Sequence, residues 1–340
     1  MTEESSTVSH LSVVMTTKKD DEATPTQTGV DKSRAFDEFY MQLAVVVIGV
    51  VGTVGNALIL YALVVSKEHK RHMLIVNQNA LDLFSSFLLV LSFAVKMFNP
   101  PLVGVSGYWL CLTLIGDGFV WWGLSGSVVN LAIITIDRYL TVVHHVWSKK
   151  RIRPWMINLA MAFAWFAGIV TNTPTLFELS AVIDGLCYSW VLYKSIVDRI
   201  FTILWYIVFF YLIILITFVY CYGRILAVIR RQAKVMASHS TSGSSTTQTQ
   251  SHKIQTNVIK TMIIVSAFYA LSWLPINVYY VFVMLDPNLT YLSSFWYASI
   301  FVAFLYTTTN PFIYATKFDA VRRVLTDMIT FKSTSSVQPT

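Results

Sequence analysis

Residues 119–139 read FVWWGLSGSVVNLAIITIDRY, an apolar run that closes on Asp137 and Arg138. No ionisable side chain interrupts it between Phe119 and Ile136, which is about the length an α-helix needs to cross a hydrocarbon core of roughly 30 Å. An acid and a permanent cation at the edge of such a run point to function more than to packing, because charge at membrane depth is costly. The full run extends over 108–142, and comparable ones lie at 39–65, 73–97, 155–177, 200–222, 258–285 and 291–314. The 340 residues are 55% hydrophobic and only 13% charged, too apolar for an ordinary soluble domain. The expectation is an all-α membrane protein, a seven-transmembrane helix bundle, since a helix satisfies its own backbone in lipid.

Basic residues fix the orientation, because Lys and Arg collect in short cytoplasmic segments. Lys67, Lys70 and Arg71 follow the first run; Lys149, Lys150, Arg151 and Arg153 follow the third; Arg224, Arg230, Arg231, Lys234 and Lys253 lie between the fifth and sixth. Lys317, Arg322 and Arg323 follow the seventh, whereas 98–107 and the segment around Asp286 hold no basic residue. The N-terminus is therefore expected outside, in a multi-pass plasma-membrane protein. The formal charge of +7 is read as loops facing anionic lipid, not as a nucleic-acid surface.

Residues 1–38 are rich in acids, Ser and Thr and read as a mobile extracellular tail, with no cleavable signal peptide. The helical domain is expected over 39–316, and an amphipathic helix with a short cytoplasmic tail over 317–340. In 318–328, Phe318, Val321, Val324, Leu325 and Met328 fall on one side and Arg322 and Arg323 on the other. No cysteine follows, so a palmitoyl anchor is not expected there. The stretch 238–251, SHSTSGSSTTQTQS, has too little apolar surface to fold. It is either a flexible linker or a phosphorylation cluster, and Ser333 to Ser336 invite the same two readings. No internal repeat is visible, which counts against an inverted-repeat transporter.

Cys111 and Cys187 would both face an oxidising space and could pair, while Cys221 reads as a small apolar side chain within the fifth run. Asn288-Leu289-Thr290 is a glycosylation sequon in the last outer loop.

Gly55-Asn56, Leu81-Asp82, Asp137-Arg138-Tyr139, Trp165, Ser272-Trp273-Leu274-Pro275 and Asn310-Pro311-Phe312-Ile313-Tyr314 occur in this order, each in its own run. In these motifs the chain, from about residue 39 to 330, resembles the rhodopsin-like (class A) G-protein-coupled receptors. The resemblance implies a receptor that binds an extracellular ligand and activates heterotrimeric G proteins, with arrestin and receptor kinases acting on the Ser/Thr clusters. It implies that Arg138 is freed from Asp137 on activation to meet the G protein. Gln255 stands where many relatives carry an acid that locks Arg138, which motivates an expectation of raised basal activity.

The resemblance also places an allosteric sodium pocket at Asp82, Ser127, Asn56 and Asn310. Tyr306 replaces a usual asparagine there, so a purely hydrogen-bonded cluster is the alternative. No other cofactor or metal is expected. Pro275 removes a backbone donor and Trp273 supplies a ring that can repack, a plausible two-state element alongside a static kink. Pro311 acts similarly, and Tyr314 is expected to swing toward Tyr222. Two departures stand out. The spacing from Cys111 to Arg138 is about two residues longer than in the family pattern, which suggests either a bulge at the outer turn of the third helix or a slightly shifted disulfide. The fifth run lacks a proline near Ile214, which suggests that its local kink is absent.

An amine-receptor aspartate would fall at Val120 counting from Arg138 and at Gly118 counting from Cys111; Asp117 lies close to one count. Around the fifth-run contact positions are Tyr206, Ile207 and Phe210, with no serine pair. No lysine occurs in 291–314, so retinal cannot form a Schiff base. The expected mouth is aromatic, with Trp121, Trp122, Tyr206, Tyr279, Tyr280, Phe295, Trp296 and Tyr297; some of these serve only as interfacial anchors. Asp117, Val120, Trp121, Tyr206, Asn277, Tyr280 and Trp296 are the candidate ligand contacts. With Glu178 and Asp184 adding negative charge, a peptide or another cationic ligand is favoured, with a monoamine or melatonin-like small molecule as the alternative. A transporter or channel would need several ionisable groups along the span axis, and only Asp82 lies deep. An enzyme is not indicated: His69, His72, His144 and His145 sit among basic loop residues, not in a ligand cluster.

Overall fold

The computed structural model describes residues 25–98, 100–189, 193–239, 246–285, 294–317 and 319–330. The chain divides into Met1–Gln42 and Leu43–Thr340, and the bundle is the second of these. The spans are Pro25–Val65, Met73–Phe98, Gly118–Val143, Pro154–Glu178, Ile196–His239 in three pieces, Thr246–Leu285 and Ser294–Lys317, followed by a short helix, Asp319–Ile329. Among the described residues, the first six contain helices long and apolar enough to cross a membrane. The seventh carries the polar run Thr307, Thr308, Thr309 and Asn310 and packs on the sixth and second spans. The result is a seven-helix bundle.

Helices run into both segments expected as tail and linker. The first helix starts at Pro25, inside the expected tail, and 1–24 lie outside the described residues. Proline suits the first helical position, and adding turns to a nucleated helix costs little. Likewise the fifth span continues to His239 and the sixth starts at Thr246, so only 240–245 of the expected linker lie outside the described residues.

The third span is the hub, packing on the second, fourth and fifth. In lipid, helix association rests on close packing and polar contacts because outward-facing apolar side chains are equally content in hydrocarbon. Accordingly Val47, Phe166 and Leu271 are exposed while Asn56, Asp82, Asn130 and Asn310 are completely buried. Small residues set the third-to-fourth contact. A Cβ on Gly126 would come within 2.9 Å of Leu81 and 3.1 Å of the Ala164 carbonyl, and one on Gly168 within 2.7 Å of Trp122.

Both irregular spans are broken in specific ways. The expected bulge above the third span is present: a helix Gly104–Leu110 passes into a π-turn, Cys111–Ile115, and Asp117 takes the left-handed conformation at φ 57° before Gly118–Val143 begins. The fifth span, expected to lose its kink with its proline, instead contains a π-turn at Ile207–Leu212 between Ile196–Tyr206 and Ile213–His239. Tyr269 donates its hydroxyl to the Phe210 carbonyl inside that turn, and Tyr211 donates to the Ala270 carbonyl at 3.0 Å. Tyr269 of the facing helix thus supplies a donor to a carbonyl inside the turn, and Tyr211 ties the turn back to that helix.

The outer loop after the fourth span forms an antiparallel hairpin, β1 Ala181–Ile183 and β2 Leu186–Tyr188. Its turn is Asp184 and Gly185, both at positive φ, the two-residue signal for a tight hairpin. In the short last helix Val321 is buried and Arg322 and Arg323 are exposed, as the amphipathic pattern requires; Phe318 lies outside the described residues.

Candidate functional site

At the outer end Cys187 of β2 is disulfide-bonded to Cys111, with Cα atoms 5.4 Å apart. This ties the hairpin to the π-turn above the third span. Asp117 caps that span in the left-handed region, a conformation that Asp tolerates better than most residues. Its carboxylate accepts from Ser92 and from Lys96 Nζ, the latter at 2.7 Å. The charge proposed for a ligand ammonium is therefore already matched from the second span. Glu178 and Asp184 are exposed.

Below lies a small cavity of about 10 Å3, room for about one water, lined by Ser125, Val128, Tyr206, Phe210, Tyr269 and Trp273. Trp121 bridges its walls, with ring centroids 6.4 Å from Tyr206 and 6.0 Å from Trp273, and Tyr280 meets Tyr206 edge-on at 5.3 Å. Val120 is buried beside this group. Trp296 instead packs on Tyr297 at 5.3 Å. Asn277 Nδ2 donates to the Trp273 carbonyl at 2.7 Å. Among the described residues, the Tyr206 hydroxyl, Trp273 Nε1 and Asn277 Oδ1 are buried without a partner, a condition that a bound polar group would relieve. No carboxylate or amine lines the chamber.

Midway, Asp82 is fully buried. Ser127 Oγ donates to its Oδ1 at 2.6 Å and Asn310 Nδ2 to its Oδ2 at 2.7 Å. The remaining member of the expected sodium set, Asn56, serves the backbone. Pro311 has no N–H, so the Thr307 carbonyl four residues earlier loses its helical donor; Asn56 Nδ2 replaces it at 3.0 Å and also bonds the Gly52 carbonyl at 2.9 Å. Gly55 makes this approach possible, since a Cβ there would stand 3.1 Å from Pro311. Two residues that sequence reading missed complete the cluster. Gln78 places Nε2 3.4 and 3.5 Å from the two Asp82 oxygens, and Asn130 Nδ2 donates to Gln78 Oε1 at 2.9 Å. Gln78 and Asp82 share a helix face at i and i+4, a spacing that could have flagged the pair. A bound sodium ion would need lone pairs from these groups, whereas the amides of Gln78 and Asn310 turn hydrogens toward Asp82. As arranged, Gln78 opposes a cation at Asp82, while Asn56 Oδ1 and Asn310 Oδ1 are buried without a partner among the described residues.

At the inner end Arg138 pairs with Asp137 at 3.0 Å, both side chains about four-fifths buried. The Tyr222 hydroxyl lies 3.0 Å from Thr135 Oγ1 and 3.1 Å from Ser266 Oγ, joining the third, fifth and sixth spans. Tyr139 bonds His144 Nε2 at 3.1 Å. Tyr314 is buried. Pro275 lies inside the sixth helix and Trp273 packs on Tyr269 at 6.0 Å. Just outside the second span, burial and the positive charge of Arg138 and Arg71 push the His72 imidazole down to about 4. The side chain of Gln255 and the whole of Asn288 lie outside the described residues.

The sequence model of the 7 transmembrane receptor (rhodopsin family) matches residues 55–314. C-C chemokine receptor type 8 of Homo sapiens is 27% identical over 277 residues, covering 77% of this chain and 70% of that receptor. Galanin receptor type 1 of Mus musculus is 23% identical over 284 residues, covering 80% of this chain and 77% of its own. The crystal structure of squid rhodopsin superposes with a TM-score of 0.70 at 16% identity, over 92% of this chain and 88% of the other. This shared fold, together with the family match over most of the chain, means that the protein belongs to the rhodopsin family of seven-transmembrane receptors and is a receptor, not an enzyme.

Proposed function

We propose that the protein is a plasma-membrane receptor, N-terminus outside, for an extracellular peptide whose binding drives nucleotide exchange on a heterotrimeric G protein. The observation that carries the peptide reading is the outer hairpin. It is covalently held over the third span and exposes Ile183 and Leu186, and strands β1 and β2 form a sheet of only two, with outer edges that a peptide backbone can extend. Chemokine and galanin receptors among the relatives support the same ligand class. Because Asp117 is paired with Lys96, a simple ammonium is a poorer candidate than a peptide.

Ligand binding acts by favouring the state that it fits better. Seated against Tyr206 and Trp121, it would bias the packing of Trp273 above Pro275, and the sixth helix would carry that change to Tyr222 and Arg138. Kinases acting on Ser and Thr in 238–251 would add charge that recruits arrestin, and the exposed Arg322 and Arg323 would rest on anionic lipid. A second reading, a neutral melatonin-like small molecule, is favoured by the uncharged chamber with its unpartnered Tyr206 hydroxyl and Trp273 indole.

Membranes carrying wild type or Arg138→Ala, screened with peptide and neutral-indole libraries for G-protein nucleotide exchange, test both readings. A peptide response lost in Arg138→Ala, and weakened tenfold or more by Leu186→Glu, is the expected result. Responses confined to indoles and abolished by Tyr206→Phe would favour the second reading, and exchange identical in wild type and Arg138→Ala would sink both.

A further inference from the structure

Trp165 anchors a chain of hydrogen bonds whose direction is fixed by chemistry. An indole nitrogen can only donate, so Asn77, 2.9 Å away, must present Oδ1 to it and turn Nδ2 elsewhere. That Nδ2 donates to Asn130 Oδ1 at 2.9 Å. Asn130 Nδ2 in turn donates to the Leu74 carbonyl at 3.0 Å and to Gln78 Oε1 at 2.9 Å. A backbone carbonyl can only accept, so Leu74 fixes the same orientation of Asn130 independently of Trp165. With its oxygen committed, Gln78 turns the two hydrogens of Nε2 toward Ser127, its nearest acceptor, with the Tyr306 hydroxyl at 3.3 Å and the Asp82 oxygens at 3.4 and 3.5 Å sharing them. Asn77, Gln78, Asn130, Asp82 and Tyr306 are all buried.

We propose that the Gln78 amide, aimed by this relay and wedged beside Tyr306, takes the place of a monovalent cation as the counter-group of Asp82, making the receptor's conformational balance independent of sodium. A cation seated on Asp82 would meet the hydrogens of Gln78 Nε2; Asn310 Oδ1 is buried without a partner among the described residues, so that amide can turn and the fixed obstacle is Gln78. Turning Gln78 to offer its oxygen would set two donors, Gln78 Nε2 and Asn130 Nδ2, against each other. Relieving that clash by turning Asn130 removes its bond to Leu74 and opposes Asn77, and turning Asn77 leaves the Trp165 N–H facing another donor. Tyr306 meanwhile fills space that a smaller amide would leave for an ion. The inference needs family membership only and stands whether the ligand is a peptide or a small molecule.

Thermal unfolding of the purified full-length receptor in sodium, potassium and choline chloride at equal ionic strength tests this without any agonist. The three wild-type midpoints should coincide; a wild-type midpoint raised by sodium alone overturns the proposal. Gln78→Leu combined with Tyr306→Asn removes the amide and opens the space, and should melt several degrees higher in sodium than in choline. A folded double variant with no sodium-specific shift also overturns it. If that variant does not fold, Asn130→Ala replaces it: without the Asn130 donor, Gln78 is free to turn its oxygen to Asp82 and a smaller sodium-specific rise should appear, and its absence overturns the proposal.

Discussion

Lys96 and Asp117 are each about a quarter exposed, so their ion pair is worth under about 1 kcal/mol taken alone. Asp117 also sits in the left-handed region, which costs a typical residue roughly 1–2 kcal/mol. These contributions can be separated. Asp117→Asn keeps the conformational tolerance and loses only the charge, so its thermal midpoint should fall slightly; Asp117→Ala loses both and should fall further. Unchanged agonist potency in Asp117→Asn would agree with a carboxylate that serves Lys96, whereas a large loss would return it to the ligand. His72 gives a pH-dependent case. Its folded pKa is depressed from 6.5 to about 4, so below about 6.5 the unfolded chain takes up a proton that the folded one refuses. Stability should therefore fall as the pH drops from 6.5 toward 4, and His72→Gln should flatten that limb in melts followed across the range. Asp82 and Arg138 were legible in the sequence because ionisable groups in apolar runs are conspicuous. Gln78, Asn77 and Asn130 were not, since an uncharged amide signals little until its partners on other helices are known. Asp184-Gly185 was a readable hairpin signal that went unread beside the louder helical pattern.

Irregular helices here are stabilised by side chains from their neighbours. Asn56 supplies the donor that Pro311 denies to the Thr307 carbonyl, so Asn56→Leu should leave a buried acceptor unpaired and lower stability by about 1–3 kcal/mol. Tyr269→Phe should remove the hydroxyl that holds the Phe210 carbonyl and cost about 1 kcal/mol, read from the shift in thermal midpoint. The extra residues above the third span could be counted from Cys111 and Arg138, and they emerge as a π-turn followed by the left-handed Asp117. Proline is one way to break a helix, and its absence from the fifth span says nothing about a turn stabilised by a tyrosine on another helix.

Assembly of the whole molecule depends on how closely the spans approach, because lipid offers apolar faces no incentive to associate. Gly126 and Gly168 allow the third and fourth spans to touch backbone to backbone, and the indole N–H of Trp122 adds a bond to the Trp165 carbonyl at 2.9 Å. Gly168→Val should push these spans apart and sharply reduce folded receptor at the surface, measured by antibody against an N-terminal tag on intact cells; normal surface levels would contradict the packing argument. Six spans were legible from length and apolarity alone, and the seventh, with its polar run from Thr307 to Asn310, was legible with the help of its Asn310-Pro311 motif. Their tilt and contacts were not, since these depend on small residues and amides that look unremarkable in one dimension. The π-turn at Ile207–Leu212 has a mechanical corollary. It stores one surplus residue, and releasing that residue into a regular helix would advance everything beyond it by about 1.5 Å and screw it round by about 100°. Such a movement is a click and not a bend, and it would couple the wall at Tyr206 and Phe210 to Tyr222 in a single discrete stroke.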